Sequence, residues 1–173
     1  MDFGCRVSYN FNMISDLKFG ITKPFPCSYL DGKEEKLLVA VDDRLETSYG
    51  YEFLMAQGFR RSGDQIYRPY CESCNACQSI RVLCGEFKAS KSQKRLLRKN
   101  NEFKTFISEN GKNEYYQLFE KYINRLHQDG TMFPATPAQY KSFLSSNGTR
   151  QIFLEVWHDE LLISVAVTDV LLN

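Results

Sequence analysis

The chain has 173 residues, of which 43% are hydrophobic and 14% aromatic, and its 22 Lys and Arg nearly balance 21 Asp and Glu. This composition fits one globular domain, or one domain with a small addition, and excludes disorder throughout the chain. With a net charge of +1, nucleic-acid binding would need a local basic patch. No apolar run reaches the roughly 18 residues of a membrane-spanning helix, and no signal-peptide core is present. We therefore expect a cytoplasmic protein with reduced cysteines and no membrane association.

The first half predicts a mixed α and β module over residues 1–100. Residues 1–30 lack periodicity and are interpreted as an extended arm that brings Cys27 to the body of the module. The elements that follow are predicted from apolar runs, capping boxes and turn residues. In chain order they are a strand (35–42), a helix capped at Asp43 and ending near Gln57, a turn (59–63), a strand (65–70), a strand (79–84) and a helix capped at Ser90 and ending near Asn100.

The second half, residues 101–173, contains the clearest periodicity. Apolar residues recur at i, i+3, i+4, i+7, i+8 and i+11 from Tyr115 to Leu126, which predicts an amphipathic helix. Thr136, Pro137 and Gln139 occupy the N-cap, N1 and N3 positions of a second helix. Strands are predicted over 102–108, 150–157 and 161–171, so the order is strand, helix, helix, strand, strand.

Three cysteines, Cys71, Cys74 and Cys77, form a C-x-x-C-x-x-C run. Two-residue gaps let a chain wrap a metal with successive thiolates facing inward. Zinc sites usually combine two separate C-x-x-C pairs, whereas three cysteines in a row are closer to iron–sulfur runs. Cys27, in a similarly irregular segment flanked by prolines, is the best candidate for a fourth ligand. A metal here would be structural or regulatory; the alternative is a surface turn with three reduced thiols and no metal.

The densest positive charge lies between residues 88 and 99, where six of the 22 basic residues occupy twelve positions without an acid. Most of them share one face of the predicted helix, while Leu96 and Leu97 are expected to anchor the other side. Such a stripe can neutralise RNA phosphates, which positions the RNA without reading its bases. The alternative is a solvated helix face. The candidate residues are Lys88, Lys91, Lys94, Arg95, Arg98 and Lys99.

Other residues with chemical potential lack an obvious partner in the sequence. Cys84 is interpreted as a small core residue of an apolar strand, Cys5 as unattached, and His127 and His158 as surface residues. The chain has no GxGxxG, Walker or GxSxG motif, which disfavours a hydrolase with an activated nucleophile.

Six short segments add a more specific signal: Pro26-Cys27-Ser28-Tyr29-Leu30, Gly58-Phe59-Arg60-Arg61-Ser62-Gly63, Tyr67-Arg68-Pro69, Cys71-x-x-Cys74-x-Ala76-Cys77, Ser90-x-Ser92-Gln93-x-Arg95 and Ala166-Val167-Thr168-Asp169-Val170. In this order they resemble the bacterial aminoacyl-tRNA–protein transferases, the aspartate/glutamate leucyltransferases. These are related to the eukaryotic arginyl-tRNA–protein transferases.

The resemblance implies an α+β fold, in which an N-terminal cysteine-containing α/β module (1–100) precedes the first half of an acetyltransferase-like (GNAT) fold (101–173). It implies an enzyme that transfers leucine, or alternatively arginine, from aminoacyl-tRNA to the α-amine of proteins that begin with Asp or Glu. The product would be marked for N-degron proteolysis. Cysteines of the first module are associated with an iron–sulfur cluster in the eukaryotic relatives. The resemblance therefore supports a ligand set for such a cluster, or for zinc, at Cys27, Cys71, Cys74 and Cys77.

The implied reaction needs little from the protein beyond positioning and polar stabilisation, because an aminoacyl ester is already activated. No cofactor or covalent intermediate is required for transfer, and no catalytic residue is assigned. The acidic side chain of the acceptor needs a cationic pocket, for which Arg60, Arg61 and Arg68 are the candidates because Arg binds carboxylates well. The alternative for these residues is surface charge or a backbone-carbonyl partner. The basic helix is the candidate for tRNA.

The end of the chain departs from the family, whose members continue with further strands and helices. The last predicted strand runs into Asn173 with an open apolar edge, so we expect a truncated transferase of uncertain activity. Two other functions stay open. One is a non-enzymatic metal-binding RNA-interaction module; the other is a small-molecule N-acetyltransferase, which the missing pyrophosphate-binding loop disfavours.

Overall fold

A computed structural model describes residues 16–145 and 149–171; the start of the predicted arm, with Cys5, lies outside the described residues. The described chain mixes helix and sheet, as predicted. Its elements, in order, are β1 (Phe19–Ile21), β2 (Phe25–Pro26), β3 (Glu34–Glu35), β4 (Leu37–Ala40), α1 (Ser48–Ala56), β5 (Arg60–Ser62), β6 (Gln65–Pro69), α2 (Lys91–Lys99), β7 (Lys104–Ser108), α3 (Asn113–Leu126), α4 (Pro137–Leu144), β8 (Arg150–His158) and β9 (Leu161–Val170).

The first half is organised around an antiparallel sheet with the strand order β1-β4-β6-β5, and β2 and β3 form a separate ribbon. Gly63 closes the β5–β6 hairpin at φ +59°, and a Cβ there would lie 2.5 Å from the Ser142 carbonyl oxygen. Only glycine therefore fits this turn, which touches the end of α4. The buried core consists of Leu45, Tyr51, Leu54, Phe59 and Ile66, with Leu171 from the end of the chain packed against it.

The second half forms an antiparallel sheet with the order β7-β8-β9; α3 packs against β9, and α4 packs against α3. Tyr115, Ile123 and Phe153 are buried between helix and sheet, which follows from the amphipathic spacing of α3. Thr136 and Gln139 make both hydrogen bonds of the capping box that opens α4. The predicted order of strand, helix, helix, strand, strand is confirmed, and so is the short turn between β8 and β9.

The start of α1 differs from the prediction. Asp42, not Asp43, is the capping carboxylate, and it accepts hydrogen bonds from the backbone N–H of Arg44 (3.1 Å) and of Lys18 (3.0 Å). It caps only a short 3₁₀ turn (Asp43–Leu45), after which Thr47 caps α1. Because of these two successive caps, the segment predicted as one helix is a short 3₁₀ turn followed by a separate helix. The predicted stop at Gly58 is confirmed, at φ +82°.

Three further predictions are wrong. Arg60–Ser62, expected in a turn, is strand β5, because the reversal needs only Gly63 and its neighbour. Residues 79–84, expected as a strand, pair with no described strand, and Ile80 is 88% exposed. Cys84 is exposed in a 3₁₀ turn (Cys84–Glu86) and is not a core residue. An apolar run becomes a strand only where another strand satisfies its backbone groups.

Candidate functional site

The four predicted cysteine ligands line one open cavity of about 480 Å³, together with Arg60. Cys27 follows the β2 strand, and its backbone N–H donates to the Lys33 carbonyl oxygen at 2.9 Å. The other three cysteines follow β6, whose end places them across the cavity from the β2–β3 ribbon. Cys27, Cys71 and Cys74 are half-buried, and Cys77 is exposed. The fold therefore brings together two segments that are far apart in sequence.

The cysteine cavity has the donor chemistry of a metal or iron–sulfur site, since four thiols face one open volume. The four thiols are too far apart in this structure to form a coordination shell. In residues 16–145 and 149–171, no three His, Cys, Asp or Glu side chains are close enough to hold one ion as placed. The Cys71 Sγ lies 3.9 Å from the Lys36 carbonyl oxygen. A bound group would therefore need the loops that carry the thiols to close around it.

Arg60 and Arg68 reach two adjoining cavities that share the cysteine loop. Arg60 lines the cysteine cavity, and its Nε is buried without a hydrogen-bond partner among the described residues. Arg68 lines a second, more open cavity of about 820 Å³ with three of the cysteines. It donates to the Gln57 carbonyl oxygen at 3.1 Å and lies over the Phe59 ring. Both guanidinium groups retain donors that can meet a carboxylate.

Arg61 points away from Arg60, because successive residues of a strand face opposite sides of a sheet. Its side chain is 9% exposed and forms a two-bond ion pair with Asp169, with Nε–Oδ2 at 3.0 Å and Nη2–Oδ1 at 2.6 Å. Its Nη1 donates to the carbonyl oxygens of Gly63 and Ser145. Arg61 thus connects β5 to β9 and to the end of α4. Its predicted role in acceptor binding stays a prediction.

The basic helix α2 begins with the predicted capping box, in which Ser90 and Gln93 exchange hydrogen bonds. All six predicted phosphate-binding residues are exposed. Three of them line a shallow concavity with Leu97. Leu96 and Leu97 are 51% and 68% exposed, so the expectation that they anchor the helix is wrong for the described chain. The helix presents both charge and apolar surface to its surroundings.

Sequence reasoning missed a buried carboxylate on the central strand β8. Glu155 is 2% exposed and accepts hydrogen bonds from the Lys112 Nζ (2.5 Å), the Tyr115 hydroxyl and the Trp157 Nε1 (2.8 Å). The hydrogen bond from Lys112, followed by that from Tyr115, lowers the pKa of Glu155 to about 2. The alternation of side chains along β8 could have revealed this burial, because it puts Glu155 on the same face of the strand as the buried Phe153.

A third cavity, of about 520 Å³, lies between α3, α4 and β9 and is lined mainly by apolar and aromatic side chains. Tyr115 forms part of its wall, while the Tyr115 hydroxyl donates a hydrogen bond to Glu155.

His127 and His158 are exposed, as predicted, and the His158 Nε2 lies 3.8 Å from the Glu102 Oε2. No helix among the described residues is long and apolar enough to cross a membrane.

Two family models match successive parts of this chain. Residues 25–95, which carry the cysteine cavity and the first half of the basic helix α2, match "Arginine-tRNA-protein transferase, N terminus". Residues 114–173, which carry nearly all of α3 together with α4, β8 and β9, match "Arginine-tRNA-protein transferase, C terminus". The cysteine, arginine and basic-helix features therefore lie within a protein of the aminoacyl-tRNA–protein transferase class.

Curated relatives sharpen this assignment. An aspartate/glutamate leucyltransferase of Pseudoalteromonas atlantica is 50% identical over 157 residues, which is 91% of this chain and 68% of the relative. Enzymes of the same name from Aeromonas hydrophila and Vibrio parahaemolyticus are 47% and 40% identical, over 90% and 91% of this chain and 65% and 68% of their own lengths. The chain belongs to the aspartate/glutamate leucyltransferase family, and it spans about two thirds of the length of these relatives.

Proposed function

We propose that the protein transfers leucine from aminoacyl-tRNA to the α-amine of proteins that begin with Asp or Glu, which marks them for N-degron proteolysis. The observation that carries this proposal is the 50% identity to an aspartate/glutamate leucyltransferase across 91% of the chain. The exposed basic helix and the two arginine-lined cavities supply the charges that the two substrates need. Arginine is the alternative donor.

The transfer is one acyl exchange. The neutral α-amine attacks the ester carbonyl carbon, a C–N bond forms, and the C–O bond to the terminal ribose of the tRNA breaks. The proton lost by the amine ends on the ribose hydroxyl that is released. Because an α-amine has a pKa of about 8, a useful fraction is neutral at pH 7. Positioning of the two substrates can therefore supply much of the acceleration.

The reaction is tested with labelled leucyl-tRNA and peptides that begin with Asp, Glu, Asn or Gln. We expect transfer to the acidic peptides and little to their uncharged analogues, which have nearly the same shape. Binding of RNA without any transfer would favour the non-enzymatic metal-binding RNA-interaction module. Transfer of acetyl groups to small amines would favour the N-acetyltransferase. Arginyl-tRNA in a parallel reaction compares the two donors.

Arg60 and Arg68 are proposed to bind the carboxylate of the acceptor side chain. Replacing either with Ala should lower transfer to Asp and Glu peptides roughly 10- to 100-fold, because a hydrogen bond to a charged group contributes about 1.5–3 kcal/mol. The measurement is kcat/KM for an Asp peptide and for its Asn analogue. Arg81→Ala serves as a matched control, since Arg81 is an exposed arginine near the same loop whose Nη2 donates to the Met55 carbonyl oxygen. Unchanged preference for acidic peptides in both variants would contradict the proposal.

The basic helix α2 is proposed to bind tRNA phosphates. The double change Lys94→Ala and Arg98→Ala should weaken tRNA binding and reduce the slope of log K against log salt by about 2, one for each lost phosphate contact. Filter binding between low and moderate salt measures both quantities. The control is the double change Lys121→Ala and Lys141→Ala, which removes two exposed lysines from α3 and α4. An equal loss of slope in the control pair would show that the charge acts at long range and not through α2.

The cysteine cavity is proposed to hold an iron–sulfur cluster or zinc on Cys27, Cys71, Cys74 and Cys77. Such a group would cross-link the β2–β3 ribbon to the loop after β6 and would link folding of the first module to metal binding. Iron and zinc should be measured on protein purified without oxygen. Cys74→Ser should lower the bound metal, whereas Cys84→Ser should not, because Cys84 is exposed and does not line the cavity. Equal metal content in both variants would contradict this ligand set.

We further propose that residues 1–100 and 101–173 are two modules, and that the second is the first half of an acetyltransferase-like (GNAT) fold. The confirmed element order of the second half supports this proposal. The buried Arg61–Asp169 pair joins the two modules, so they are expected to unfold together.

A further inference from the structure

We propose that the cavity between α3, α4 and β9 binds the apolar side chain of the donor amino acid and selects leucine over arginine. The inference rests on the proposed function and adds to it a location for donor recognition. The cavity shares no lining residue with the cysteine cavity or with the concavity on the basic helix.

The lining of this cavity favours an uncharged occupant. Among the described residues that line it, none is Asp, Glu, Lys, Arg or His. Its walls include Phe119, Tyr140 and Phe143 from the helices and Ile163, Val165 and Val167 from β9. A guanidinium that entered this space would lose its water without gaining a carboxylate partner. The isobutyl group of leucine carries no charge whose hydration would be lost, and it would bury apolar surface.

Two of the three phenols that line the cavity, those of Tyr115 and Tyr140, do not supply a negative charge either. Burial raises the pKa of both Tyr140 and Tyr115, so both remain neutral at physiological pH. Two largely buried carboxylates near the cavity are already paired: Glu155 accepts hydrogen bonds from Lys112, Tyr115 and Trp157, and Asp169 pairs with Arg61. Glu114 and Glu120 of α3 are not among the described residues that line the cavity, so no lining acid is present to pair with an arginyl side chain that enters it.

The size of the cavity fits part of an aminoacyl nucleoside. Its volume of about 520 Å³ lies within the range of about 300–1,000 Å³ that is usual for small-molecule sites. It exceeds the volume of one isobutyl group, so the aromatic walls have room for part of the terminal adenosine as well. Ile163 and Val167 are each 37% exposed, which gives the occupant a route from solvent.

The test uses the full chain with two stable probes, 3′-leucylamino-adenosine and 3′-arginylamino-adenosine. We expect the leucyl probe to bind about tenfold or more tightly than the arginyl probe by titration calorimetry or NMR. Val167→Asp should reverse or abolish this preference by placing a carboxylate in the cavity. Ala166→Asp is the matched control, because it adds the same charge one residue away on the opposite face of β9.

Equal binding of the two probes, no binding of either probe, or an identical response of the two Asp variants would overturn the cavity assignment. The transfer assay is separate. If leucine is transferred while the probes show no cavity-dependent preference, the proposed function stands and the cavity assignment fails. If no transfer occurs, the probe titrations still decide whether the cavity recognises a leucyl group. A variant that does not fold is identified by circular dichroism, and Val167→Asn then replaces Val167→Asp with the same expected loss of leucyl preference.

Discussion

Replacing Glu155 with Ala is expected to destabilise the protein by about 2–4 kcal/mol, because the Tyr115 hydroxyl and the Trp157 Nε1 then lose their acceptor in a buried site. Each unsatisfied buried donor costs about 1–3 kcal/mol. The negative charge of Glu155 is also favoured by its ion pair with Lys112. Urea unfolding at pH 7 measures the loss. A change below 0.5 kcal/mol, which is typical of surface substitutions, would contradict the role given to this carboxylate.

The same carboxylate should make stability depend on pH. The pKa of Glu155 in the folded protein is about 2, below the ordinary value of 4.5 for a glutamate, so folding favours the ionised form. Its contribution is fully present above pH 4.5 and is lost as the pH falls from there toward 2. Glu155→Gln keeps an acceptor oxygen but has no charge. The difference in free energy of unfolding between the wild type and this variant should therefore shrink between pH 7 and pH 3.

The matched control for the pH series is Glu160→Gln in the β8–β9 turn, an exposed carboxylate for which no partner is described. The difference in free energy of unfolding between this variant and the wild type should stay small at every pH, because an exposed charge contributes little to stability. A pH-independent gap for Glu155→Gln, or an equal pH dependence in both variants, would show that Glu155 is not the group responsible.

Breaking the Arg61–Asp169 pair is the second change for which a large effect is expected. Arg61→Ala should cost about 3–5 kcal/mol, because it leaves the Asp169 carboxylate largely buried beside an unfilled space. The Gly63 and Ser145 carbonyl oxygens also lose their donor. Since the pair links β5 to β9, we expect one cooperative transition in the wild type. In the variant, the two modules should separate into two transitions, seen by calorimetry.

A double-mutant cycle with Arg61→Ala and Asp169→Asn measures the interaction itself. We expect the two losses to be strongly non-additive, since either change alone removes the same pair. Arg60→Ala is the control, because it removes the neighbouring charge from the opposite face of the strand. Additive losses, or equal destabilisation by Arg60→Ala, would contradict the structural role of Arg61.

This comparison also separates two roles for the arginines of β5. If Arg61 selects acceptors as well as joining the modules, Arg61→Ala protein that is still folded will lose its preference for Asp and Glu peptides over Asn and Gln peptides. If Arg61 only joins the modules, the preference will remain in the folded fraction, and stability alone will fall. The buried pair with Asp169 leads us to expect the second result.

The local structure was largely determined by the sequence itself. The capping boxes at Ser90 and Thr136 and the periodicity from Tyr115 to Leu126 act within a few residues, so they fix α2, α3 and α4 without help from distant segments. The alternation that defines β8 and β9 is similarly local, although its consequence for Glu155 was missed. Cys27 and the 71–77 run were paired on chemical grounds, and the fold places them on one cavity.

Only the tertiary structure decided which side chains share a site. Arg60 and Arg61 are adjacent in sequence, yet the pleat of β5 sends one to the cysteine cavity and the other to Asp169, more than a hundred residues away. Residues 79–84 have the composition of a strand but find no pairing partner in the described chain, so Cys84 is exposed. Contacts of this kind depend on long-range packing and on hydrogen-bond partners supplied by other elements, which no local pattern encodes.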